Sequence, residues 1–147
     1  MSARVRRRPT SAGVDTERLG TAIAALVRVT RREIALPLGA STIAALRTIA
    51  TQGPLRTGDL ARHEGVAGPT LSRIVATLEE EGHVERTADA DDRRVVWLES
   101  TASGRRLLDT VARERARVFA ERVARLTPEQ TASLAAALDA IEALATD

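Results

Sequence analysis

Apolar residues recur at helical spacing over most of this chain and give way to short runs at a single place. Leu71, Ile74, Val75 and Leu78 form one stripe of a helix that opens at Pro69, where a missing N–H costs nothing. A shorter helix before it carries Leu60 and Ala61 and stops at Gly65, which can take the left-handed cap conformation. After it come His83–Thr87 and Arg94–Glu99, runs of strand length rich in Val, Trp and Leu. Ala88 to Arg93 between them reads as a solvated turn. Helix, turn, helix and β-hairpin together predict a winged helix from Pro54 to Gly104.

Helices flank this segment on both sides. Asp15 or Thr16 caps a first helix to about Leu36, whose stripe is Leu19, Ile23, Leu26, Val27 and Ile34. Arg28, Arg31 and Arg32 fall in its C-terminal half, where cations suit the helix dipole, and Pro37 and Gly39 end it. A second helix, about Ala40 to Gln52, buries Ile43, Leu46 and Ile49 and stops at a Gly cap, Gly53, followed by Pro54. Thr101 starts a long helix to about Leu126, with Leu107, Leu108, Val111, Val118, Phe119 and Val123 inward. Thr127-Pro128-Glu129-Gln130 is a capping box that opens a last helix through Leu134, Leu138, Ile141 and Leu144.

The long helix changes the picture. About 25 residues at ~1.5 Å each span nearly 40 Å, more than a lobe of ~60 residues covers. Its apolar face, with those of the first and last helices, needs a further partner, and a second copy is the simplest one. Leu19, Ile23, Val118, Phe119, Leu134, Leu138, Ile141 and Leu144 are the expected dimer interface. The chain then divides into a flexible basic arm (1–14), a helical dimerisation region (15–37 and 102–147) and a winged helix-turn-helix lobe (38–101). The expected fold is mainly α with a small β-hairpin wing.

Composition narrows the function. With 147 residues, 44% hydrophobic, the chain suffices for one folded domain, and Trp97 and Phe119 are its only aromatic residues. It has no Cys, which excludes disulfides, thiol nucleophiles and thiolate metal sites. Its formal charge of +2 says little by itself about nucleic acid. The distribution says more. Acids outnumber Arg between Pro54 and Ser100, yet Gly68 to Thr77 holds none. No apolar run approaches ~20 residues. The N-terminal stretch has charge without an apolar core, so a cytoplasmic protein is expected. That arm, with Arg4, Arg6, Arg7 and Arg8, is either a disordered tail or a reach toward DNA.

The candidate chemistry is recognition. No paired carboxylates, Ser/His/Asp set or phosphate loop is present, and His63 and His83 lack partners at metal spacing, so neither enzyme, metal nor cofactor is expected. The buried stripe of the second winged-segment helix leaves Gly68, Thr70, Ser72, Arg73 and Thr77 outward, and a helix N-terminus with such a surface suits a DNA groove. Arg73 either pairs with a guanine edge or binds phosphate. Pro69 either touches a thymine methyl or only starts the helix. Arg56, where the short helix begins, is a phosphate clamp or an ordinary surface Arg. Trp97 is most simply core between wing and helices.

These residues also carry a resemblance. Gly68-Pro69-Thr70-Leu71-Ser72-Arg73-Ile74-Val75, then Leu78-Glu79-Glu80-Glu81-Gly82, then Asp91-Asp92-Arg93-Arg94, and Thr101 three residues before Gly104, resemble the MarR family of bacterial transcription regulators. The departures are Gly68 where Ser is common, His83 where a large apolar residue is common, and Ser100 where Leu usually precedes the Thr. The first bears on one hydrogen bond to DNA, the others on packing. The resemblance implies that a wing Arg, Arg93 or Arg94, enters the minor groove while Asp92 fixes its geometry, with Arg94 favoured for the pair. A narrow groove attracts such an Arg. It also implies a small-molecule effector between the dimer helices and the DNA lobe. Ile23, Leu26, Val27, Leu46 and Leu108 would line that pocket, with Arg28 or Arg31 for an anion, and all of them double as ordinary core. The expected function is a homodimeric regulator, a repressor of a pseudo-palindromic operator on double-stranded DNA, released by an amphipathic or anionic ligand. The alternative is a winged-helix protein-interaction module that does not bind DNA.

Overall fold

The computed structural model describes residues 10–11, 13–89, 92 and 95–145. In chain order these form β1 (Thr10–Ser11), β2 (Val14–Asp15), α1 (Thr16–Glu33), α2 (Ala40–Gln52), β3 (Leu55–Arg56), α3 (Thr57–Glu64) and α4 (Gly68–Glu80). There follow β4 (Val84–Ala88), β5 (Val96–Ser100), α5 (Ala102–Val123), α6 (Pro128–Ala136) and α7 (Leu138–Leu144). The fold is mainly α with a small antiparallel sheet, as the periodicity predicts. Most of the N-terminal arm falls outside the described residues. Two compact units share the chain, one of residues 36–114 and one formed by residues up to Ala35 with those from Arg115 onward.

The first unit is the winged lobe. Its core takes Leu46 and Ile49 from α2, Leu60 from α3, Leu71, Val75 and Leu78 from α4, Val84 from β4 and Leu98 from β5, all buried. The core residues of α2 and of α4 stand three or four apart, so one face of each turns inward. The sheet order is β3-β5-β4, with Val84 opposite Ser100 and Ala88 opposite Val96. Its first strand, only two residues long, pairs Leu55 with Leu98 and Arg56 with Trp97, and periodicity does not reveal it. The hairpin strands start and end one to two residues later than predicted.

Two junctions hold this lobe together. Gly53 caps α2 as expected, at φ −69° and thus outside the left-handed region, and the need for glycine there is steric: a Cβ would sit 2.3 Å from the Ile49 carbonyl oxygen. At the other junction a Cβ on Gly104 would sit 2.3 Å from the His83 carbonyl and 3.1 Å from Leu46 Cδ1. Thr101 caps α5 there. Its hydroxyl donates to the Gly82 carbonyl at 2.7 Å and accepts from Gly104 N–H at 3.1 Å. The two packing departures resolve locally. His83 Nδ1 lies 3.2 Å from Ser103 Oγ, and buried Ser100 accepts from the Arg105 guanidinium through its carbonyl and hydroxyl oxygens.

The second unit is helical apart from the short antiparallel pair of β1 and β2. Asp15 caps α1, its carboxylate accepting from Arg18 N–H at 3.0 Å. This helix ends at Glu33, about three residues earlier than expected, with Ile34 as its cap, before Pro37 acts. Arg122 of α5 donates through Nε and Nη2 to the Glu33 carboxylate, a two-point fork between α1 and α5. The capping box is complete: Gln130 N–H donates to Thr127 Oγ1 at 3.2 Å and Thr127 N–H to Gln130 Oε1 at 3.0 Å. First-turn backbone N–H and the Thr127 hydroxyl hold the Glu129 carboxyl below its ordinary range. The predicted last helix is two helices. Ala137 N–H bonds both Ser133 and Leu134 carbonyls, a tightened turn that separates α6 from α7.

Burial sorts the expected interface residues. Val118 is 1% exposed within its own chain, so it lies in the interior and, contrary to expectation, offers no surface to a second copy. Leu19, Phe119 and Leu134 are half-buried. Ile23, Leu138, Ile141 and Leu144 are exposed at 42–68%, and Leu26 and Val27 of α1 are exposed beside them in sequence. Among the described residues no helix is long and apolar enough to cross a membrane.

Candidate nucleic-acid interface

The turn between α3 and α4 is built as the sequence predicts. Gly65 has φ +61° and ψ +29°, the left-handed region that a Cβ disfavours. Its N–H donates to the Arg62 carbonyl, and Val66 N–H to the Ala61 carbonyl, which satisfies the last turn of α3. Val66 packs on the core at the same point. The chain then enters α4 at Gly68, one residue before Pro69.

Leu71, Ile74, Val75 and Leu78 are buried, and Gly68, Pro69, Thr70, Ser72 and Arg73 are exposed, while Thr77 is half-buried. Ala67 offers no side-chain cap, so the first-turn N–H groups of α4 receive none from a side chain and stay available to an anion. Ser72 Oγ donates to the Gly68 carbonyl at 3.0 Å and Thr77 Oγ1 to the Arg73 carbonyl at 3.0 Å. Both hydroxyls retain acceptor lone pairs on the outer face. Arg73 makes no ion pair among the described residues. The acids stand apart: Glu79 binds Arg86 of β4 at 2.7 Å, at the far end of the helix. A Cβ on Gly68 would meet open space, so that face has room at its leading end.

The wing departs further from expectation. Trp97 is not core. Leu98 and Ser100 point inward from β5, and Trp97, on the opposite face, shares its side with Arg56 and Thr87, its partners in the flanking strands. Its indole Nε1–H donates to Asp89 Oδ2 at 2.7 Å, and the Arg56 guanidinium carbon lies 4.9 Å from the ring centroid. Arg56 therefore stands in a strand just before α3, over an aromatic ring. Asp89, read only as part of a solvated turn, organises the loop. Asp92 N–H donates to Asp89 Oδ1 at 3.1 Å, Asp89 N–H to the Val95 carbonyl at 3.0 Å, and Val95 N–H to the Asp92 carbonyl at 2.8 Å. Asp residues favour turns because they bond nearby backbone N–H groups, and the Asp-rich run from Asp89 to Asp92 carries that signal. Asp92 is exposed, while Arg93 and Arg94, and with them the expected pairing of Arg94, lie outside the described residues.

Of the expected pocket residues, Leu46 and Leu108 belong to the winged lobe and the others to the second unit. Leu46 is fully buried in the winged lobe, which corrects its reading as a pocket wall, and Leu108 packs partly buried on the same core. On α1, Val27, Arg28 and Arg31 line an open hollow of about 550 Å³ with Ala24 and Arg32. Among the described residues no group of three side chains is placed to hold a metal.

Comparison with known proteins agrees with this architecture. Residues 38–96 match the model of the MarR family. An HTH-type transcriptional regulator of Mycobacterium tuberculosis is 34% identical over 86% of this chain and 89% of its own. A transcriptional regulator from Thermotoga maritima superposes with a TM-score of 0.69 at 27% identity, covering 88% of this chain and 92% of its own. A MarR family protein of Mycobacterium tuberculosis, solved with p-aminosalicylic acid, superposes with a TM-score of 0.64 at 26% identity, covering 84% and 98%. These relatives are regulators, which leaves the alternative of a non-DNA-binding module without support. The chain belongs to the MarR family of winged helix-turn-helix transcriptional regulators.

Proposed function

We propose that this regulator binds a pseudo-palindromic operator as a homodimer, with α4 in the major groove. One observation carries the reading: the exposed Thr70, Ser72 and Arg73 face is free of acids and leads from an uncapped helix start. Thr70 and Ser72 hydrogen-bond the DNA, Arg73 meets a guanine edge or a phosphate, and Gly68 and Pro69 allow close approach. Arg93 or Arg94 probes the minor groove beside Asp92, and Arg56 stands near enough to α3 to reach phosphate. The exposed apolar residues of α1 and α7 support pairing with a second copy, which sets two recognition helices ~34 Å apart or a multiple of it. The regulator acts in the cytoplasm, where the DNA is, and represses by occupying its site.

A small amphipathic or anionic ligand releases the operator by binding better to a dimer with another spacing of its reading helices. The complex of a similar family member with p-aminosalicylic acid supports an aromatic acid as the ligand class, and the hollow beside Arg28 and Arg31 supplies cations for one. Salt tests the DNA reading. A dimer making ~6–10 phosphate contacts loses ~10³–10⁵ in affinity between 50 and 200 mM salt. Affinity for duplex DNA that does not change with salt would refute it.

A further inference from the structure

We propose that Trp97 is a positioning residue for the wing, held between Arg56 and Asp89, and that this cluster sets where the wing meets DNA. The inference rests on the operator-binding role proposed above. It begins from one carboxylate with two tasks. Asp89 Oδ1 accepts from Asp92 N–H and shapes the loop, while Asp89 Oδ2 accepts from Trp97 Nε1–H at 2.7 Å. The loop is thus anchored to the middle of β5 rather than only to its end. The other face of the anchor is Arg56, whose guanidinium lies over the indole at 4.9 Å and whose backbone leads directly into α3. Arg56, Trp97 and Asp89 therefore link the entrance of the helix-turn-helix to the wing across the outer side of the sheet.

That location argues against a role in the core. The inward residues of β5, Leu98 and Ser100, are buried, and Trp97 on the other face is half-buried and is not among the residues packed on the core. A large ring on the outer face, fixed by a charge-assisted hydrogen bond and a stacked cation, restrains the loop's direction more than it adds to burial. A wing that carries arginines to a groove gains from that restraint, because a pre-set loop loses less entropy on binding.

The test uses the full-length chain and a duplex that wild type selects from a random pool. Trp97→Phe keeps a ring but loses the donor, and Asp89→Ala removes the same bond from the other side. Each variant is expected to bind the selected duplex about 10- to 150-fold more weakly, the range for one hydrogen bond to a charged group. The salt dependence should also flatten, as is expected for Arg93→Ala/Arg94→Ala, and adding Trp97→Phe to that pair should cost nothing further. Trp97 is the single tryptophan in a chain without tyrosine, so the red shift of its emission in Asp89→Ala reports release of the anchor without DNA. Unchanged affinity in a folded Trp97→Phe or Asp89→Ala, or losses fully additive with those of the arginine pair, would overturn the positioning role alone. A wild-type chain that enriches no duplex would overturn the operator-binding role, and this inference with it.

Discussion

At the scale of single residues, recognition depends on what the helix leaves uncovered. Arg73 follows the exposed Ser72 and stands one position before buried Ile74, so its guanidinium starts from the solvent side of α4. Arg73→Ala should weaken binding to a selected duplex by about 1–3 kcal/mol if it reads a base. Comparing that loss with the loss on random duplex separates base reading from phosphate binding, since an equal loss on both would make it a phosphate contact. Gly68 is the complementary case. Its missing Cβ would meet open space, so Gly68→Ser fits without strain and places a hydroxyl at the first position of the helix. That hydroxyl should tighten operator binding by about 0.5–1.5 kcal/mol, the net value of one hydrogen bond, in a titration at fixed salt.

At the scale of elements, close approach decides stability. Gly104 lets the start of α5 press against the strand that follows α4, where the Cβ of an alanine would sit 2.3 Å from the His83 carbonyl. Gly104→Ala should therefore destabilise by about 1–3 kcal/mol, read as a lower urea midpoint with unchanged slope. Elements of this kind were legible in the sequence where the cause is local and repeated. The stripe of α4, the left-handed Gly65 turn and the Thr127 capping box each declare themselves within a few residues. The outward face of α4 followed from its buried stripe, so the candidate reading surface was legible too. The third strand was not, because two residues carry no period. Trp97 reads as core from the sequence because an aromatic among apolar residues usually is. Its true neighbours, Arg56 and Asp89, are brought to it by strand pairing and a loop. The split of α6 from α7 left no trace because the run Ala135-Ala136-Ala137 contains no breaker.

At the scale of the whole molecule, the function proposed needs two copies. Leu138 and Ile141 are 51% and 42% exposed on α7, with Leu144 beyond them, an apolar edge that one chain leaves to water. Leu138→Glu with Ile141→Glu should yield a monomer by sedimentation while the winged lobe keeps its helical signal, and a variant that stays dimeric would put the interface elsewhere. Most direct of all is selection of bound duplexes from a random pool by the wild-type chain. An outward α4 paired across a two-fold axis predicts enriched sites made of two inverted half-sites, centred ~10 base pairs or a multiple apart. Enrichment of single, unpaired half-sites, or of no sequence at all, would contradict it.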